Sequence, residues 1–390
     1  MIEVNRKLFS RAVELAAAAT SRYATIPIIS TLKVTANGKL RLEGTDLDNH
    51  AVAELPYDGK PGEFTLPQPR LLRTAVNQAG GDTVKLDANE ENKLRLRAGR
   101  LDSNLITQSA EDFPAHPRIS FEDFSATLGS GELKQIRRVM AAMSEEETRY
   151  YLNGVCVSHV ADWTYRFAAT NGHVLLVVDV ALPDAAGVMP DMTIIPRGWL
   201  NTIMARFAKT KSGARLTYGR QGIPNTAGPD LPLQPGGDRI ALRADLDGID
   251  YAVTGKLIDG KYPDYSKVIP ANQEYAARPR RADLVQAVHT VSAICFGKHR
   301  AVKLSFPAGK LRVELNSPDL GDSAFEIDAQ HNVPEGFGHI GLNTDYLLRI
   351  LNSLHGEEVV LGIAQVSMAP VTFADPADTA FKAVLMPTRI

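Results

Sequence analysis

Thr193-Ile194-Ile195-Pro196-Arg197-Gly198-Trp199-Leu200-Asn201-Thr202-Ile203-Met204-Ala205-Arg206-Phe207 reads as an extended segment that ends at a proline and turns directly into a helix. Trp199, Leu200, Ile203, Met204 and Phe207 fall on one face at helical spacing, so the helix should bury that face. The same sentence occurs twice more. Phe64 to Pro67 precedes a stripe opened by Leu71, and Ile340 to Asn343 precedes one opened by Leu347. Pro67, Pro196 and Asn343 therefore stand at equivalent helix starts.

Working outward, each third also carries an earlier amphipathic helix, at about 5–19, 132–143 and 280–294, anchored by Leu8, Leu133 and Leu284. A loop and a hairpin follow each one. The hairpins close on strands reading Leu40-Arg41-Leu42, Tyr165-Arg166-Phe167 and Leu311-Arg312-Val313, whose alternation suits half-buried strands; Asn37-Gly38 and Ala308-Gly309 supply turns. A repeat fixes architecture more firmly than any single motif. The expectation is an α+β chain of three similar domains, each with two helices packed on antiparallel sheet, bounded at 1–119, 120–270 and 271–390. The recurring arginines are unequally spaced, which places extra length in the middle third. The proline-rich and glycine-rich stretch 221–238 is expected to be an exposed loop inserted between strands.

A length of 390 residues agrees with several cores rather than one. Hydrophobic content of 44% and charged content of 23% are those of a globular chain, and no stretch approaches the ~20 apolar residues of a membrane span. Glu3, Arg6 and Lys7 interrupt the N-terminus, unlike a secretion signal, so the cytoplasm is the expected compartment. Cys156 and Cys295 stand far apart, outside any metal or disulfide spacing, and are expected to be buried thiols.

The net charge of -2 conceals a segregation. The six helix candidates, taken as 5–19, 69–79, 132–143, 196–209, 280–294 and 344–355, hold 14 Lys and Arg against four acidic residues, whereas the rest of the chain is acidic. One basic helix is ordinary; six biased alike suggest helices that face a shared polyanion through sequence-independent phosphate contacts. The expected contacts are Arg6, Lys7, Arg11, Arg22, Arg73, Lys134, Arg137, Arg138, Arg197, Arg206 and Lys209.

Catalytic patterns are missing. The chain has no phosphate loop, dinucleotide fingerprint, zinc-protease helix or nucleophile elbow. Glu145-Glu146-Glu147 reads as a solvated run rather than a metal site, and His173, in Thr170-Asn171-Gly172-His173, as a turn or pocket-lining residue without a nucleophile partner. Neither a catalytic residue, a metal nor a cofactor is expected.

Seven segments in order carry a resemblance along essentially the whole chain: Thr25-Ile26-Pro27-Ile28, Gly44-Thr45-Asp46-Leu47, Asp112-Phe113-Pro114, Arg149 to Gly154, Thr170 to His173, Lys256 to Tyr265, and Met386-Pro387-Thr388-Arg389-Ile390. On these the chain resembles the beta subunit of bacterial DNA polymerase III, the sliding clamp. The resemblance implies two chains closed head to tail into a six-domain ring around duplex DNA. It also implies a clamp loader, a replicative polymerase and repair proteins as partners, each inserting a short apolar peptide into a cleft.

One part of that cleft would comprise Leu152, Thr170, Gly172, His173, Val174, Leu175, Pro263 and Val268. The other would comprise Asn343, Tyr346, Met368, Pro370, Val384, Met386, Pro387 and Arg389. Apolar groups of this kind make an adaptable groove, and Arg389, Asn343 and His173 could fix peptide polar groups. Tyr150 and Tyr151 are candidates to stack on bases. The sequence departs from the family at Val174, where an arginine is common, in the length of 221–238, and at Ser103, where a large apolar residue is familiar. Leu105, Ile294 and Phe296 remain as expected ring contacts. Two other readings stand beside this one: a nucleic-acid enzyme, which would need a carboxylate cluster, and a clamp-derived peptide adaptor that does not encircle DNA.

Overall fold

The computed structural model describes residues 1–21, 25–90, 92–208, 210, 213–224, 232–293, 301–317 and 321–390. Arg22, Lys209, Ile294, Cys295 and Phe296 lie outside the described residues, as does 225–231 of the expected loop. Six α-helices occur among the described residues: α1 Arg6–Ala16, α2 Pro69–Gln78, α3 Ser130–Val139, α4 Arg197–Phe207, α5 Arg281–Ser292 and α6 Thr344–Ser353. Each matches a helix expected from periodicity. Their starts have local causes. The Asn5 side chain accepts from the Lys7 and Leu8 amides at the head of α1, Pro69 opens α2, and the Asn343 side chain accepts from the Asp345 and Tyr346 amides at the head of α6.

The chain forms two compact units. Unit 1 holds residues 1–133, 182–189 and 198–257. Its nine-stranded sheet joins Ile119–Leu128, Ala214–Ile223, Gln234–Asp245 and Asp250–Lys256 to the strands of the first third through Asp250–Lys256 beside Asn49–Pro56. A four-stranded sheet runs in the order Ile2–Asn5, Thr83–Glu90, Lys93–Ala98, Leu101–Ile106. The apolar face of α4 is buried as its spacing predicts: Trp199 is 1% exposed and donates Nε1 to the Val253 carbonyl at 3.1 Å. A side chain at Gly255 would meet the Trp199 ring at 2.5 Å, so the indole fits only because that position is glycine. Phe207 stacks on Tyr251, whose hydroxyl donates to the Leu15 carbonyl at the end of α1.

Unit 2 holds 134–181, 190–197 and 258–390. Its twelve-stranded sheet joins central-third and last-third strands where Val174–Ala181 pairs with Asp378–Leu385. The two larger sheets thus run across the sequence repeats, and the central third is divided between the two units.

The repeat itself has a clear structural basis. In each third the recurring arginine sits directly opposite a carboxylate on the next strand: Arg41 opposite Glu54, Arg166 opposite Asp179, Arg312 opposite Glu326. Their hydrogen bonds are 2.7, 2.6 and 2.8 Å. Opposite charges facing across an antiparallel pair help to fix its register.

The expected 221–238 loop is shorter than its composition suggests. Strand pairing continues through Gly222 with Pro235 and Ile223 with Gln234. The strand on the other side pairs only from Arg239 onward, so Pro235 stands at a sheet edge, where proline is tolerated.

Candidate functional site

Residues 170–174 form a turn made by side chains. Asn171 Oδ1 accepts from the His173 and Val174 amides at 3.0 and 3.1 Å, and Thr170 Oγ1 accepts from the Gly172 amide at 3.0 Å. Gly172 has φ +92, a left-handed conformation that favours glycine. Below the turn, the Tyr262 hydroxyl accepts from the Thr170 amide at 3.0 Å. Burial pushes the Tyr262 phenol up, and the Tyr265 phenol up to about 12, so both stay neutral.

This turn borders a cavity of about 170 Å³ lined by Thr170, Gly172, His173, Val174, Leu175, Pro263, Asp264, Tyr265, Val268, Val384 and Met386. Seven of the eight residues expected in one part of the cleft are here. The eighth, Leu152, is 4% exposed and packs beneath with Cys156, Ala168, Leu175, Tyr262 and Val384. Val384 and Met386, expected in the other part, line this same cavity, because Val174 and Leu175 pair with Leu385 and Val384 and the Met386 amide donates to the His173 carbonyl. Asp264 and Tyr265 were not anticipated as lining residues, although they sit inside the run Lys256 to Tyr265.

The remaining expected residues lie beside the cavity rather than in it. Tyr346, on the first turn of α6, stacks against His173, and Met368 and Arg389 are exposed. Pro370 and Pro387 are half-buried. The Asn343 oxygen is occupied in capping α6, so it does not offer a free acceptor to a peptide. Val268, Met386 and Met368 are 46%, 39% and 49% exposed, which leaves an apolar rim open to solvent around a preformed cavity.

The basic helix residues divide by environment. In unit 1, Lys7 is exposed, whereas Arg6 donates to the Gly81 carbonyl at 2.6 Å and Arg11 and Arg73 share Glu14. Arg206 is half-buried. In unit 2, Lys134 and Arg137 are exposed, but Arg138 is not a surface residue. Its guanidinium donates to the Ser353 carbonyl at 2.6 Å, pairs with Asp378 at 2.5 Å and lies over the Phe381 ring. Arg138 therefore leaves the expected phosphate-contacting set: successive residues on a helix face different directions, and this one faces the sheet.

Arg197 pairs with Glu145 and donates to the Met143 and Ser144 carbonyls, and Glu146 pairs with Arg149. Two members of the Glu145-Glu146-Glu147 run are thus held in separate ion pairs. Tyr150 is 53% exposed, with Tyr151 edge-on beside it. Leu105 is half-buried on Leu101–Ile106, the edge strand of the four-stranded sheet, and its neighbour Ile106 is 85% exposed. Cys156 is buried, and burial pushes its thiol up to about 12, as expected for an unreactive core residue.

Models of the N-terminal, central and C-terminal domains of the DNA polymerase III beta subunit match residues 1–117, 128–264 and 266–389. The chain is 29% identical to the beta sliding clamp of Caulobacter vibrioides (strain NA1000 / CB15N), covering 100% of both chains. It is 30% identical to that of Proteus mirabilis, covering 94% of this chain and 93% of the relative. Among solved structures, a DnaN sliding clamp from Bartonella birtlesii bound to griselimycin superposes with a TM-score of 0.86 at 29% identity, covering 100% of this chain and 99% of the other. With all three domain models matched in order over nearly every residue, the chain belongs to the DNA polymerase III beta subunit family.

Proposed function

We propose that this chain is a DNA sliding clamp, a non-catalytic processivity factor that closes as a homodimeric ring around duplex DNA and tethers replication and repair proteins. The observation that carries the reading is the preformed apolar cavity at Thr170–Leu175, Pro263–Val268 and Val384–Met386, with His173 and Tyr346 at its rim. A cavity of this size and lining suits one or two apolar side chains of a partner peptide, and griselimycin, bound by the Bartonella birtlesii clamp, is a ready probe for it.

The exposed Lys7, Lys134 and Arg137, with the partly exposed Arg11, Arg73 and Arg206, are the proposed phosphate contacts. Their binding would be indifferent to base sequence and weakened by salt. The open edge of Leu101–Ile106, carrying Leu105 and Ile106, is the proposed contribution of this part of the chain to ring closure. No helix among the described residues is long and apolar enough to cross a membrane, and the proposed site of action is the cytoplasm, at replication forks.

The test is loading onto nicked circular DNA by a bacterial clamp loader with ATP, followed by linearisation of the circle. Release on cutting demonstrates encirclement. A dimeric protein that never co-migrates with the circle despite a competent loader sinks the clamp reading and favours a peptide adaptor.

A further inference from the structure

A second cluster of chemically competent side chains lies in unit 1, which contains none of the cleft residues. Glu43 and His50 face across the hairpin of Lys39–Thr45 and Asn49–Pro56, with His50 Nε2 3.2 Å from Glu43 Oε1. His116, from the segment that precedes Ile119–Leu128, places its ring 4.4 Å from that of His50. One donor atom from each of the three residues lies within 4.8 Å of the others.

Hydrogen bonding within the protein leaves this cluster incomplete. His50 is 1% exposed, yet its Nδ1 has no hydrogen-bond partner, and the Nδ1 of His116 is likewise buried and unpartnered. Buried polar atoms are nearly always satisfied, so the unpartnered Nδ1 of His116, beside the Glu43–His50 pair, is the one that asks for a ligand. Burial, the neighbouring His50 and the Arg41 guanidinium hold the His116 imidazole down to about 3. Arg41 donates to Glu43 Oε1 at 2.8 Å and orients the carboxylate, as groups behind metal ligands do. Edge-on contact with Phe113 holds the other side of His50.

We infer that Glu43, His50 and His116 form a binding site for one divalent late first-row metal ion of the zinc class. Two imidazoles and a carboxylate match that class rather than magnesium or calcium, which prefer all-oxygen shells. Tetrahedral ligands about 2.0–2.2 Å from zinc sit roughly 3.3–3.5 Å apart. Glu43 Oε1 and His50 Nε2, 3.2 Å apart, already lie close to this value, and a donor atom of His116 is within 4.8 Å of theirs. Of the three, His116 also lines a groove of about 460 Å³ with Arg118, Glu122 and Arg215, which gives the site a side open to solvent. The ion would pin the segment Phe113–Arg118 to the sheet.

The experiment titrates Zn2+ into the chelator-treated full-length chain in competition with a chromophoric chelator, and repeats it with Co2+, whose visible spectrum reports tetrahedral coordination. His116→Gln alters a half-buried residue and spares the hairpin; His289→Gln changes an exposed histidine on α5 as the control. Binding of one Zn2+ per chain, lost in His116→Gln, retained in His289→Gln and undiminished by excess Mg2+, supports the site. No binding by the wild-type chain, or equal binding by His116→Gln with a native circular-dichroism spectrum, overturns it.

Discussion

The imidazole of His173 lies nearly parallel to the ring of Tyr346, 14° from coplanar with centroids 5.8 Å apart. The pair brings the Thr170–His173 turn against the first turn of α6, and Arg349 sits 5.7 Å over the other ring's centroid, that of Tyr346. Two loosely attached surface rings are thereby held as one wall beside the cavity. Such preorganisation lowers the ordering cost of binding a peptide.

Removing that wall should weaken peptide capture without unfolding the chain. Tyr346→Ala is expected to cost about 1 kcal/mol of affinity, roughly a five- to tenfold rise in Kd, and His173→Ala somewhat less. Calorimetric titration with griselimycin measures both. Wild-type affinity in Tyr346→Ala would show that the stacked pair plays no part.

Arg137 and Arg138 are adjacent in sequence and should behave oppositely. Arg138→Ala strands Asp378 and the Ser353 carbonyl, and is expected to destabilise by about 3 kcal/mol in denaturant unfolding. Arg137→Glu should leave stability within about 0.5 kcal/mol and shorten retention on circular DNA. Equal unfolding midpoints for Arg138→Ala and the wild type would contradict the buried role.

The repeated cross-strand pairs differ in exposure, so their coupling should differ. Arg166 and Asp179 are 29% and 27% exposed and make two hydrogen bonds, and a double-mutant cycle should give about 1 kcal/mol. Arg312 and Glu326, at 40% and 47%, should give a smaller coupling that falls further in high salt. A larger coupling for the exposed pair would refute this ordering.

His116 should make the metal-free chain acid-sensitive. Its folded-state value of about 3 lies below the usual ~6.5, so as pH falls the unfolded chain takes up the proton first. Stability is unaffected by this group well above pH 6.5 and declines between about 6.5 and 3, by up to about 1.4 kcal/mol per pH unit. His116→Gln should flatten that part of the profile. Identical differences between pH 7.5 and 5.0 in variant and wild type, from denaturant midpoints in chelator, would exclude the effect.

The six helices were legible because helix formation leaves its mark at short range. The stripe of Trp199, Leu200, Ile203, Met204 and Phe207 specifies a buried face, and a neighbouring proline or asparagine specifies where the helix starts, whatever lies further along the chain. The recurrence of Arg41, Arg166 and Arg312 was legible for the same reason, since each partner carboxylate lies 13 or 14 residues away across one hairpin.

Only the tertiary structure decided which basic residues remain on the surface, how the cleft is divided and which histidines meet. Arg138 is withdrawn by Asp378, 240 residues away; Val384 and Met386 join Thr170–Leu175 through strand pairing; His116 reaches His50 from another segment. Periodicity fixes the direction of a side chain relative to its own element. The burial and partners of that side chain depend on what the rest of the chain brings to it, and no local pattern encodes that.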